Sequence, residues 1–292
     1  MIRITRDHIQ YALDKKFPPV VTIDPGEVVC LETWDARTGT IQSERDLFVR
    51  RHPKGSNPVK GPVAVRGAEP GDELAVRILD IKLDKRGFTG IRPKLGVLGH
   101  RIADFRTKMF DIVDGLVVFN ERIRFPVRPM VGVIGTAPAG EGVATLHPGP
   151  HGGNMDHNDV RVGATVHLPV SVPQALLGIG DIHATMGEGV ISITALEINS
   201  DVTMRVDLEK KANTGRPWIE FPDCWISTGD GPGIADAIRV ACDEMADLLQ
   251  KKLGLSDPEA FMLISIRGDV KVSQCCEPSM IAATARVVMP KF

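Results

Sequence analysis

The chain is short of the features that mark disulfide-stapled, membrane-spanning or nucleic-acid-binding proteins. Five cysteines occur in 292 residues, Cys30, Cys224, Cys242, Cys275 and Cys276. The number is odd and no C-x-x-C pair occurs, which excludes a disulfide framework and a zinc-finger spacing and points to the reducing cytoplasm. Neither sign of charge dominates: 35 Lys and Arg stand against 37 Asp and Glu, for a formal net charge of -2. With the basic residues scattered, no nucleic-acid partner and no anionic membrane surface are expected. No apolar run approaches the roughly 18 residues of a membrane span, and Met1-Ile-Arg-Ile-Thr-Arg-Asp-His8 lacks the apolar core of a signal peptide. Internal repeats and low-complexity stretches are missing too. Gly229-Asp-Gly-Pro-Gly233 lacks the lysine of a phosphate-binding loop, and Pro232 removes one of the amides such a loop would use, so the segment reads as a helix entry.

What is present is strand. From residue 20 to about 206, short β-rich runs alternate with Pro and Gly turns: Val20–Ile23, Glu27–Thr33, Val63–Val65, Asp72–Ile81 and Val162–Val170. Period-two alternation and turn signals such as Asp24-Pro-Gly26 separate them, without the strand–helix alternation of a doubly wound parallel sheet. The expected fold is therefore mainly β, sandwich-like or barrel-like, with residues 1–206 as its body. Residues 207–292 read as a smaller α+β part on the same core, so that one compact domain is the alternative to two. Within it, Ile234, Ala237, Ile238, Ala241, Cys242, Met245, Leu248 and Leu249 form one helical face over 233–253, ended by Gly254. Ser256-Asp-Pro-Glu259 is a capping box opening a second helix, and Asp269–Cys276 returns to strand alternation.

Two segments hold the chemistry: His147-Pro-Gly-Pro-His-Gly-Gly-Asn-Met-Asp-His-Asn-Asp159 and Gly180-Asp-Ile-His-Ala-Thr-Met-Gly-Glu-Gly189. Together they concentrate imidazole and carboxylate, the ligand set of zinc and, with more oxygens, of calcium or manganese. Asp181 and His183 follow the apolar run Ala175–Ile179 and fall at the end of a buried strand. Residues two apart on a strand share a face, about 6.6 Å apart along the chain, so both could reach one metal; a strand end paired with solvent is the other reading. Pro148, Gly149 and Pro150 make the first segment a loop, either a polar surface turn or a binding loop. In the second reading His151 and Asp156 face inward, and His147 and His157 face solvent. Cys275-Cys276 is expected to be inert packing.

These residues also carry a resemblance. Asn57-Pro-Val-Lys-Gly-Pro-Val63 with Gly67–Asp72, Pro150-His-Gly-Gly-Asn-Met-Asp156, Gly180–Gly189, Phe221-Pro-Asp223 and Gly268–Gln274 resemble, in order and spacing, the motifs of the acetamidase/formamidase family of amide hydrolases. The likeness runs from about residue 20 to 278. It implies a β-rich homo-oligomer, a homodimer or homotetramer, that hydrolyses short linear amides to a carboxylate and ammonia at a divalent metal, zinc first with calcium or manganese as the other candidates. Carried over by position, the metal ligands are Asp156, Asp181, His183 and His151, and the catalytic residues are Asp181, His183 and Glu188. The chain departs from the family pattern at Val190, where a glutamate closes the motif. Either Glu188 has taken over that glutamate's proton transfer, or the chemistry has changed toward a larger amide or carbamoyl substrate, or catalysis has lapsed.

Overall fold

The computed structural model describes residues 1–48, 55–212, 214–276 and 282–292. Among these, nineteen strands join in one hydrogen-bonded sheet that curls around an apolar core. The strands that matter for the site are β1 (Glu27–Thr33), β2 (Val59–Val65), β3 (Glu73–Ile91), β4 (Met130–Gly135), β5 (Gly152–Asn154), β6 (Thr165–Pro169), β7 (Leu177–His183), β8 (Glu197–Glu209), β9 (Trp218–Glu220) and β10 (Cys224–Gly231). After two helices, α1 (Ile234–Leu253) and α2 (Asp257–Arg267), come β11 (Asp269–Gln274) and β12 (Ala283–Pro290). Pairing is mainly antiparallel: β8 runs between β1 and β3, β7 between β2 and β4, and β6 between β3 and β9. The expected β-rich, barrel-like fold and the rejection of a doubly wound sheet are borne out.

Alternation decides which residues fill the interior. Leu31, Val76, Val166, Ile179, Val202 and Met204 are fully buried in one cluster enclosed by the curled sheet, as inward-facing period-two positions should be. The long strand differs from its expectation, Asp72–Ile81, by continuing to Ile91. Lys82–Gly87 reads locally as a polar turn, but cross-strand partners on β8 and on Arg106–Val113 keep it extended. The sheet also does not stop at residue 206. β9 pairs with β6, β10 with β9 and β12, and β12 with β11, so the C-terminal strands extend the same hydrogen-bonded sheet.

The helices follow their sequence signals. Ala237, Ala241, Met245, Leu248 and Leu249 of α1 are buried, most of them in a second cluster against Trp218, Trp225, Val287 and Met289. Gly254 ends α1 at φ +70°, a conformation that costs glycine little. At α2 the Ser256 N–H donates to Glu259 Oε2 at 2.8 Å, the backward half of the capping box. No helix among the described residues is long and apolar enough to cross a membrane.

A buried polar knot ties β3, β6 and β9 together. His167 lies 2.9 Å from Glu73 through Nδ1 and 3.4 Å from Glu220 through Nε2, and it stacks on Trp218 at 3.6 Å between ring centroids. Burial pulls the His167 pKa down, but Glu220 and Glu73 outweigh it and raise it above 6.5. His167 in turn lowers Glu220 to about 2. Since a buried pair that loses one partner typically costs about 3–5 kcal/mol, His167→Ala is expected to lose that much in urea unfolding. The histidine's share is present below pH 6.5 and lost as pH rises through its raised pKa. The glutamate's share is present above its ordinary 4.5 and lost as pH falls toward about 2. The stability gap to wild type should thus be widest between these two ordinary values and narrow on both sides; a gap independent of pH contradicts the pairing.

Candidate active site

The site lies where β4, β5, β7 and β8 converge. Register pairs Val131 with Ile182 and Val133 with Gly180, which sets Gly132 opposite Asp181. The loop after β5 folds back on the same point, with the Asp156 N–H donating to the Gly132 carbonyl at 3.2 Å. Both aspartates occupy the left-handed backbone region, Asp156 at φ +50° and Asp181 at φ +56°. Such a conformation costs roughly 1–3 kcal/mol in a non-glycine residue and gathers at functional sites. It turns both carboxylates toward His183, whose Nδ1 is 4.0 Å from Asp156 Oδ1 and whose Nε2 is 3.7 Å from Asp181 Oδ2.

The two glycines that permit this approach have different tasks. A Cβ at Gly132 would stand 2.6 Å from Asp156 Oδ1 and 3.0 Å from Asp181 Oδ2, so the missing side chain is the space the carboxylates occupy. A Cβ at Gly180 would stand 2.2 Å from the Pro58 carbonyl, so this glycine lets the start of β2 cross close to β7. That crossing brings Asn57 to the site, where its Nδ2 donates to Asp181 Oδ2 at 2.6 Å.

A fourth ionisable group completes the cluster, and the sequence reading missed it. His183 on β7 pairs across the sheet with Glu197 on β8, and Glu197 Oε2 lies 3.5 Å from His183 Nε2. The Ala195 N–H donates to Glu197 Oε1 at 3.1 Å. All four side chains are buried. Burial pushes the carboxyls of Asp156 and Glu197 well above their ordinary range, helped by neighbouring carboxyls and opposed by His183. Burial acts to lower His183, but Glu197, Asp181 and Asp156 raise it to about 10.

One ligand atom each from Asp156, Asp181 and His183 lies within 4.8 Å of the others, close enough to share a metal ion. The donor chemistry fits such an ion: Asp156 Oδ1, Asp181 Oδ1, His183 Nδ1 and Glu197 Oε2 are all buried without a hydrogen-bond partner. A second group of this kind, Glu73, His167 and Glu209, differs because Glu73 is already bonded to His167, Trp218 and Thr214. The first cluster forms the floor of a cavity of about 520 Å³ that is also lined by Asn57, Asn154, His147, Val190 and Gln274.

One sequence expectation needs correction, and two expected site residues stand apart from the cluster. His151 is buried, as expected, but it is not among the residues whose ligand atoms meet. It sits at the turn between Pro148–Gly149 and β5, where burial lowers its pKa to about 4 and Asp230 and Arg216 are its charged neighbours. His157 does not face solvent: it is buried, with Nδ1 2.5 Å from Ser273 Oγ. Glu188 does not line the cavity with the cluster but a neighbouring pocket. Its Oε1 accepts from Arg286 Nη2 at 2.7 Å. Burial would raise the Glu188 carboxyl, yet Arg286 outweighs it and holds it below its ordinary value, which suits a fixed ion pair and not a proton carrier. Val190 lines the cavity and packs against Met130, Met186 and Ala195.

A model of the Acetamidase/Formamidase family matches residues 6–141 and 139–221. The crystal structure of an acetamidase from Bacillus halodurans is 38% identical, with a TM-score of 0.94 over 99% of this chain and 97% of that one. A recombinant predicted acetamidase/formamidase from Thermoanaerobacter tengcongensis is 35% identical, with a TM-score of 0.94 over 99% and 95%. The acetamidase of Mycolicibacterium smegmatis is 28% identical over 261 residues, covering 66% of this chain and 64% of its own length. The chain spans less than two thirds of the length of the curated relatives it matches.

The packing at Gly132 yields a direct test. Adding a methyl group there forces the Asp156 carboxylate to move, and overpacking of this kind costs about 1–3 kcal/mol. Gly132→Ala is therefore expected to melt at a lower temperature and to show a displaced Asp156 side chain in its crystal structure. An unmoved carboxylate at an unchanged melting temperature would contradict the close approach.

Proposed function

Because the chain belongs to the acetamidase/formamidase family, we propose that it hydrolyses the C–N bond of linear amides, with Asp156, Asp181 and His183 holding a divalent metal ion. The observation that carries this reading is the convergence of three ligating atoms within 4.8 Å, unpartnered oxygens and nitrogen among them, at the floor of a cavity. Zinc leads the candidates, because an imidazole with two carboxylates is a three-ligand set that leaves a position open. Calcium needs six to eight oxygens, and manganese stands between the two. A bound ion would supply Lewis acidity, polarising the amide carbonyl and lowering the pKa of a water toward about 7.

The chain's own residues account for the rest. Glu197, a residue of the cavity lining, has one oxygen fixed by the Ala195 N–H and the other without a hydrogen-bond partner, 3.5 Å from His183 Nε2, which suits it to take a proton from the attacking water and pass it to the leaving nitrogen. Water adds to the carbonyl carbon, the C–N bond breaks, and ammonia leaves a carboxylate behind. Asn57 holds Asp181 in place through the 2.6 Å hydrogen bond. Asn154 Oδ1, buried on the cavity wall without a donor, can accept an N–H of a primary amide. Its Nδ2 is occupied, donating to the Leu146 carbonyl at 3.3 Å. A homo-oligomer belongs to the same reading, supported by Phe261, Met262 and Ile266, which stand 59–80% exposed on α2.

The test is ammonia release from formamide and acetamide, paired with elemental analysis. Asp181→Ala and His183→Ala are expected to lose most bound metal while retaining the fold. Glu197→Gln should keep the metal and lose at least about a hundredfold in turnover, whereas Glu188→Gln should stay within about threefold of wild type. Near-wild-type turnover in Glu197→Gln would remove it from the mechanism, and full metal content in both ligand variants would misplace the site.

A further inference from the structure

The cavity above the floor is larger and more differentiated than a one- or two-carbon amide requires. Its volume of about 520 Å³ lies in the range of pockets that enclose far larger ligands. Its lining is chemically mixed. Among the described residues the carboxylates on it are Asp156, Asp181 and Glu197. Phe48, Leu95, Leu146, Val190 and Ile193 supply apolar wall. Arg92 and Lys94 contribute two cationic side chains to the same cavity.

These two cations are unlike the others that line the cavity. Arg37 is engaged: it bonds Ser56 Oγ, lies 5.8 Å from the Phe48 ring centroid and acts on the Glu197 carboxyl. Arg92 is half-buried and Lys94 exposed, and neither has an ion pair or side-chain hydrogen bond among the described residues. Neither is among the charged groups that shift Asp156, His183 or Glu197. Their segment is nevertheless firmly built. Lys94 sits in the left-handed region at φ +63°, its N–H donates to the Gly99 carbonyl at 2.9 Å, and the Val97 N–H donates to the Ile191 carbonyl at 2.9 Å. A non-glycine residue held in this conformation by its surroundings is fixed at some cost, here on a segment that lines the cavity.

An acidic floor, an apolar wall and two unpaired cations are complementary to a molecule with an amide at one end, methylenes between and an anion at the other. We infer that the site selects primary amides that carry a carboxylate at their far end, the amide over Glu197 and the carboxylate at Arg92 and Lys94. This rests on the amide-hydrolase reading above. The reaction stays balanced in the same way: one water is consumed, the C–N bond breaks, and a dicarboxylate and ammonium are released. Arg92 can engage the carboxylate with its planar guanidinium, and Lys94 adds a point charge.

The experiment compares kcat/KM for 5-amino-5-oxopentanoate and for pentanamide, which share the amide end and differ in the far end. Wild type is expected to prefer the anionic amide by about fivefold or more, a preference that shrinks as salt is raised. In Arg92→Gln/Lys94→Gln the ratio should fall to near one, and in Arg92→Glu it should invert. A wild-type ratio of one or below, or a ratio unchanged in the double variant, overturns the inference and leaves the amidase reading standing. Should neither amide be hydrolysed while formamide or acetamide is, the inference falls and the amidase reading stands; should none of the four be hydrolysed, the amidase reading fails and calorimetry of the products decides the role of Arg92 and Lys94. Glutarate binding more tightly than pentanoate, with the difference lost in the double variant, supports it; equal affinities overturn it.

Discussion

The site depends on one costly arrangement: three carboxyl groups and one imidazole share a buried pocket floor. Like charges a few ångströms apart in a low dielectric repel by several kcal/mol, and each loses its hydration as well. The protein meets this with His183, whose pKa the carboxyls raise to about 10, and with Arg37, which acts on Glu197. The compensation is incomplete. The remaining strain shows in the raised carboxyls of Asp156 and Glu197, in three oxygens without donors and in two aspartates with left-handed backbones. A divalent cation would answer the charge excess and the unpartnered oxygens together, which is why this donor set reads as a metal site and the group at Glu73, already bonded to His167, Trp218 and Thr214, does not.

Holding the acids together requires support from a distance. The Asp156 loop is pinned by β12: Thr284 Oγ1 donates to the Met155 carbonyl at 2.7 Å, and Arg286 Nε donates to Asp159 Oδ2 at 2.7 Å. Arg286, fully buried, also donates to Ser273 Oγ and to Glu188 Oε1. One guanidinium thus joins the loop after β5, the strand β11 and the segment that carries Val190 to the cavity wall. Glu188 is conspicuous in the sequence for this structural reason. Its carboxylate completes the shell of a buried arginine and anchors the wall without lining it.

Local patterns made the body and half of the floor legible. Period-two alternation marked the strands, and two residues spaced as Asp181 and His183 on one strand share a face whatever the fold. Asp156 came from a motif resemblance. Glu197 had no such signal, because its role arises from pairing with His183 across two strands, and within β8 it looks like any charged residue in Glu197-Ile-Asn-Ser-Asp. The one available hint was a carboxylate flanked by Ala195, Leu196 and Ile198, a setting in which an acid is buried and must have a partner. Gly132 was hidden likewise in an apolar run, and His151, read correctly as inward-facing, stands outside the three-residue cluster because inward orientation alone does not say which neighbours a side chain meets. Asp269–Cys276 read correctly as strand, Ala283–Pro290 was not read at all, and the bracing of the Asp156 loop is a matter of tertiary contact.

The most direct test of the account is an anomalous-scattering map of protein crystals at the absorption edge of the metal found by elemental analysis. The account predicts one strong peak at the cavity floor, within bonding distance of Asp156, Asp181 and His183 and with Glu197 beside it. A peak at Glu73, His167 and Glu209, or a fully ordered floor that binds no ion when divalent metals are supplied, would contradict it.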